Sequence, residues 1–127
     1  MQYRRFGRTN IKIPVLSLGG MRFQKSWDQL DFSEISYEEQ NNVEKILNLA
    51  SKYGLSHVET AKYYGTSEVQ LGMGFKNTKK FPSIIQTKVP PNSDPKIFES
   101  DVMTSIEKLK VKKIDLLAIH GLSLIHI

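Results

Sequence analysis

Apolar residues recur along this chain in two rhythms: short runs of strand length, and stripes at helical spacing. Val15–Leu18, His57–Thr60, Ser83–Lys88 and Ile114–Ile119 are runs of four to six residues bounded by Gly, Pro or polar residues, and each predicts a strand. Three helical stripes lie between them. Val43, Ile46, Leu47, Ala50 and Tyr53 share one face of a helix that Ser36 and Glu39 open with an S-x-x-E capping box and Gly54 closes. A second helix is predicted from Thr66 to Lys76. Asp94 followed by Pro95 makes an N-cap with proline in the first turn, opening a third helix that turns Phe98, Val102, Ile106 and Leu109 inward. Phe81 and Pro82 break the chain before the third strand.

Ahead of this alternation, Tyr3–Phe6 and Ile11–Ile13 flank the turn residues of GRTN and predict a hairpin that Pro14 ends. Met21 to Ser36 has no period and is expected to be a long loop, a kind of segment that is often functional. Ile114–Ile119 is almost wholly apolar, as a strand buried on both faces is. The strands recur every 25 to 30 residues or so, which is βαβ spacing and implies parallel strands joined by right-handed crossovers. An open doubly wound sheet and part of a (β/α) barrel both satisfy this order. No G-x-G-x-x-G follows the first strand, which disfavours a dinucleotide loop there. The G-x-G at Gly72 to Gly74 sits within the second helix and is read as close helix packing.

Composition narrows the classes. With 0 cysteines there is no disulfide, thiolate metal site or cysteine nucleophile in these 127 residues, and no metal site is expected. The absence of a long apolar run or signal-peptide pattern points to a cytoplasmic protein that does not enter a membrane. The net charge of +5 is unevenly spread: Met1 to Ser26 is basic, Trp27 to Glu44 acidic. No basic stripe with interleaved aromatics or nucleic-acid motif accompanies it, so no nucleic-acid partner is expected.

Glu59, Tyr64, Lys88 and His120 fall at or just beyond the C-terminal ends of predicted strands. In a parallel barrel these ends open on one face, so residues distant in sequence converge there. Singly, each has an ordinary explanation: a surface acid, a half-buried aromatic, a lysine reaching for solvent, a turn histidine. Their shared position is what makes them a candidate set.

HVETAKYYGTSEVQLG, residues 57 to 72, resembles the signature of the aldo-keto reductase family, in which an acid, T-A and Y-G-x-S-E-x-x-L-G follow in this order. IIQTKV resembles the strand bearing that family's catalytic lysine, IDLLAIH the strand ending in its histidine, and YRRFGRTNIKIPVLSLGGM its hairpin and first barrel strand. The resemblance spans residues 1 to about 123. It implies a (β/α)8 barrel and an oxidoreductase that passes a hydride from NADPH to a small-molecule carbonyl substrate. Tyr64 would be the general acid, Lys88 the cation that eases its proton release from an ordinary phenol pKa of about 10, Glu59 the partner of Lys88, and His120 a donor at the carbonyl oxygen. Gly20, Met21 and Glu59 would lie beside the cofactor. Ser67 and Glu68 match the signature and also suit a helix start, where acids are favoured. Trp27 either walls the substrate pocket or packs locally.

Glu59 stands where the family usually has Asp, one methylene shorter. Local adjustment could absorb the difference; otherwise it alters cofactor or substrate binding, or abolishes catalysis. H-x-E-T-A with Q-T-K-V-x-P resembles a microbial subgroup whose members often have a C-terminal iron–sulfur segment; such a cluster would lie beyond Ile127.

A whole (β/α)8 barrel takes about 250 residues. The chain is therefore expected to be the N-terminal half of one, four parallel strands behind an N-terminal β-hairpin: a cap over 1–14, the strands over 15–120, and a tail over 122–127 read as non-native. Alone, such a half exposes strand edges and is expected to be inactive and prone to self-association. A non-catalytic cofactor-sensing or regulatory member of the same fold, and an independent α/β binding module, are the other readings.

Overall fold

Tyr3–Arg5 (β1) and Lys12–Pro14 (β2) pair antiparallel in a computed structural model that describes residues 1–23, 26–78 and 84–121. Pro14 does not end the pairing ahead of itself but is its last member, opposite Tyr3. It has no N–H to give, and the next donor, Val15 N–H, reaches Gln2 O at 3.0 Å. The hairpin is tied to the rest of the chain where Tyr3 Oη donates to Gly54 O at 2.8 Å.

Four strands, Leu18–Gly19 (β3), His57–Glu59 (β4), Ile84–Val89 (β5) and Leu116–Ile119 (β6), form one sheet in the order β3-β4-β5-β6. All of its pairings are parallel. Three helices connect them: Tyr37–Lys52 (α1), Ser67–Asn77 (α2) and Pro95–Leu109 (α3). The capping box at Ser36 and Glu39 is formed in both directions, with Ser36 N–H donating to Glu39 Oε2 at 3.0 Å. Gly54 follows the helix at φ +74°, the left-handed conformation a helix end asks for. Asp94 caps α3 by accepting from Lys96 N–H at 2.9 Å.

Three expectations need correction. The first strand of the sheet is only Leu18–Gly19, Val15 and Leu16 ahead of it are exposed, and among the described residues β3 pairs with β4 alone. β6 is half-covered, not buried on both faces: Leu117 and Ile119 are 46% and 45% exposed. The preceding helix, α3, packs on β5 instead. Tyr53, assigned to the inward face of α1, is its exposed C-terminal cap. The long loop also contains a 3-10 turn at Phe32–Glu34, where Asp31 N–H donates to Glu34 Oε2. The chain break at Phe81 and Pro82, the strand start at Ser83 and the tail over 122–127 lie outside the described residues.

The core lies between sheet and helices. Val58 of β4 and Ile85 of β5 meet Val43 and Leu47 of α1, Leu71 of α2 and Leu109 of α3. The Gly72 to Gly74 stretch is helix packing, as expected. A Cβ on Gly72 would lie 2.2 Å from Lys108 O, and one on Gly74 2.4 Å from Leu47 Cδ1. Because side chains alternate along a strand, burying Val58, Ile85 and Val89 against the helices sends the residues between them to the opposite, concave face. Among the described residues no helix is long and apolar enough to cross a membrane.

Candidate active site

On the concave face β4 and β5 carry polar residues where a barrel interior could have been filled with aliphatic ones. In β4 it receives His57 and Glu59, in β5 Gln86 and Lys88, and in β6 Leu116 and Ala118, by the pairings Glu59 with Gln86 and Lys88 with Ala118. His120 comes two residues after Ala118, hence on the same face, and its backbone N–H extends the ladder to Val89 O at 2.9 Å.

Lys88 and Glu59 form an ion pair across neighbouring strands. Lys88 Nζ also donates to Thr60 O at 3.1 Å. Its side chain is only 19% exposed. Burial pushes the ammonium below the ordinary lysine range, while the adjoining carboxylate favours the charged form.

After β4 the chain turns tightly over the strand ends. Lys62 N–H donates to Lys88 O at 3.0 Å, Tyr64 N–H to Ala61 O at 3.0 Å, and Ser67 N–H to Tyr64 O at 2.9 Å. The turn sets the Tyr64 ring over Lys88, with Nζ 4.6 Å from its centroid. His120 meets the same ring edge-on, centroids 5.4 Å apart at 89°. The four candidate residues therefore converge. His120 Nδ1 is buried and has no hydrogen-bond partner among the described residues. Burial, and then the charge of Lys88, lower the His120 pKa, which keeps the ring neutral. A buried ring nitrogen without a partner is costly unless a ligand supplies one.

Gly20 and Met21 lie at the end of β3. Gly20 N–H donates to Glu59 O at 2.7 Å. Gly20 has a packing reason to be glycine: a Cβ there would come 2.7 Å from Ser67 Oγ and 3.2 Å from Glu59 O. Trp27 is not merely packed within its loop. It stands edge-on to Tyr64, centroids 6.4 Å apart, and is 63% exposed. Gln29 anchors that loop, donating to Lys62 O at 3.0 Å and accepting from Lys108 Nζ at 2.7 Å.

Sequence reasoning passed over a second polar layer. Beneath the ion pair, His57 is 4% exposed and bridges Ser17 Oγ at 2.7 Å through Nδ1 and Gln86 Oε1 at 3.1 Å through Nε2. Burial lowers its pKa, with the Gln86 bond opposing. Period-two alternation was the available signal, since His57 precedes Glu59, and Gln86 precedes Lys88, by two. Among the described residues no group of three or more His, Cys, Asp or Glu could hold a metal ion.

Residues 15–123 match the Aldo/keto reductase family. Among solved structures, a thermostable aldo-keto reductase in complex with the inhibitor epalrestat is 28% identical. It superposes with a TM-score of 0.75 over 98% of this chain and 44% of its own. An aldo-keto reductase from Pseudomonas aeruginosa is similar in fold, at 24% identity and a TM-score of 0.73 over 94% of this chain and 47% of its own. So is one from Bombyx mori solved with NADP, at 22% identity and a TM-score of 0.61 over 86% of this chain and 34% of its own. The chain thus spans less than half the length of these structures. No curated protein matches it.

Proposed function

The chain belongs to the aldo-keto reductase family, and on that premise we propose that it provides the proton-donating side of a nicotinamide-dependent reductase acting on small aldehydes or ketones. The observation that carries this is the convergence of Tyr64, the Lys88–Glu59 pair and His120 at one mouth of strand ends.

The residues present fit a carbonyl and the reactive end of a reduced nicotinamide, NADPH by the family's habit. The partnerless Nδ1 of His120 offers a polar contact in a buried place, and the Tyr64 ring stands edge-on to the imidazole. Gly20, Met21 and Glu59 would border the nicotinamide. The adenosine and phosphate contacts are expected from the other half of an eight-stranded barrel. When bound, the reduced nicotinamide supplies a hydride to the carbonyl carbon.

Everything else falls to the protein. Tyr64 gives its phenolic proton to the carbonyl oxygen as negative charge grows there, so hydride and proton together make the alcohol. Lys88 offsets the charge left on the tyrosine. Glu59 and Thr60 O hold Lys88 in place beneath the ring. His120, neutral and half-buried, orients the oxygen and shares in stabilising its charge. Trp27 limits access from the loop side.

Glu59 in place of the shorter aspartate does not prevent the pairing with Lys88, which supports an intact catalytic arrangement. With 0 cysteines, the chain offers no thiolate to an iron–sulfur cluster. The test is NADPH consumption by the full-length protein with a panel of aldehydes and ketones, with and without Tyr64→Phe. Turnover that depends on Tyr64 supports the reading; binding of NADPH without turnover would make the protein a cofactor-sensing relative instead.

A further inference from the structure

Glu68 is an acid in an unexpected place. It lies in the first turn of α2, where a solvated carboxylate beside the helix terminus would be ordinary, yet it is 2% exposed. Its Oε1 accepts from Thr87 Oγ1 at 2.6 Å. Its Oε2 and the Ser105 hydroxyl of α3 are both buried without a hydrogen-bond partner among the described residues. Thr87 is itself fully buried, on the helix side of β5, and is covalently next to Lys88 on the concave side.

The preceding residue locks this acid in position. Ser67 Oγ donates to Gly20 O at 2.9 Å, at the end of β3, and lies 2.8 Å from Thr60 Oγ1, at the end of β4. The start of α2 therefore grips three of the four strands that lead into the mouth: β3 and β4 through Ser67, β5 through Glu68.

We infer that Glu68 is a positioning residue: by bonding Thr87 from behind β5, it sets the height of Lys88 against Thr60, Glu59 and the Tyr64 ring. Strand height matters because Lys88 Nζ must reach Thr60 O and stand under Tyr64 at once. A slip of β5 by a fraction of a residue rise breaks one of these contacts. The acid fits this task best in its neutral form, able to accept from Thr87 and donate toward Ser105. Burial raises its pKa; the Thr87 bond, the Ser105 hydroxyl and the charges of Lys108 and Lys62 pull the other way without cancelling it.

What the positioned lysine does rests on the reductase reading; the positioning itself does not. The experiment follows the Lys88 Cε signal by NMR in full-length protein labelled with 13C at lysine Cε, assigned by its loss in Lys88→Arg. The Tyr64 ring above Lys88 shifts this signal away from ordinary lysines. Glu68→Gln, which keeps both hydrogen-bonding atoms, is expected to leave the signal in place. Glu68→Ala and Thr87→Val are expected to move it toward the ordinary position and to lower kcat by roughly 10- to 100-fold with little change in KM. Thr87→Val alters one hydroxyl only and decides the matter if Glu68→Ala does not fold. An unmoved signal in Thr87→Val overturns the inference, even if turnover falls. Absence of turnover in the unaltered protein sinks the reductase reading and leaves the NMR result to decide the clamp.

Discussion

Lys88 and Glu59 face each other across β4 and β5, and the lysine is held a second time by the carbonyl oxygen of Thr60, the residue that follows Glu59. The anion and the oxygen thus come from consecutive residues of one strand end, so the cation reports directly on where that strand stops. Glu59→Gln removes the anion but leaves the partly buried ammonium. The expected cost is about 1–3 kcal/mol of stability, less than for a fully buried pair because both side chains keep some solvent contact. Turnover in the full-length protein is expected to fall roughly 100-fold as Lys88 loses its fixed place. Urea unfolding and initial rates measure the two effects separately. A variant as stable and as active as the parent would show that Thr60 alone holds the lysine.

Tyr64 carries the heaviest chemical demand. Tyr64→Phe keeps the ring that meets Lys88, His120 and Trp27 and removes only the hydroxyl. Stability should therefore change little, while the rate of NADPH oxidation with an aldehyde should drop by roughly 100- to 10,000-fold, the usual worth of a positioned general acid. Retained activity would take Tyr64 out of the proton path.

Much of this site is written in the sequence, because its residues end strands and their spacing is that of βαβ units. The order and spacing of the strands alone put Tyr64, Lys88 and His120 on one face. What could not be read there depends on contacts between elements. Nothing local distinguishes Glu68 from a solvated first-turn acid; only the approach of β5 and α3 buries it. Likewise Val15, Leu16, Leu117 and Ile119 have the composition of buried strands, and their exposure follows from what lies beside β3 and β6, not from their own identity. Gly20 illustrates both levels. Its place at a strand end was legible, but the reason it must be glycine is Ser67, 47 residues away.

Two histidines, His57 buried and His120 half-buried, should make stability fall in mild acid. His57 and His120 both have pKa values lowered by burial. Below the ordinary imidazole value of about 6.5 the unfolded chain takes up protons that the folded chain refuses. The unfolded state then binds more protons, so stability is complete above that pH and is lost as pH falls toward the depressed folded values. His57→Gln, which can still reach Ser17 or Gln86, should flatten the decline without abolishing it, since His120 remains. Denaturant midpoints at pH 7.5 and 5.5 for parent and variant provide the comparison. An equal decline in both would mean that His57 does not contribute.

Gly72 and Gly74 lie two residues apart in α2 and so face different neighbours, and alanine should be tolerated very differently at the two. At Gly72 the added Cβ meets backbone, with Lys108 O at 2.2 Å and Leu109 carbonyl atoms at 2.9 and 3.0 Å, so α2 and α3 must separate. At Gly74 it meets the end of one flexible side chain, Leu47 Cδ1 at 2.4 Å, which a rotamer change can withdraw. Alanine recovers about 1 kcal/mol of helix propensity at either position. Against that gain, Gly72→Ala is expected to destabilise by about 3 kcal/mol or more and Gly74→Ala by no more than about 1 kcal/mol. Thermal unfolding of the two variants checks the order. Equal losses would mean that the contact between α2 and α3 yields as readily as a leucine side chain, and the close packing assigned to this glycine pair would then be wrong.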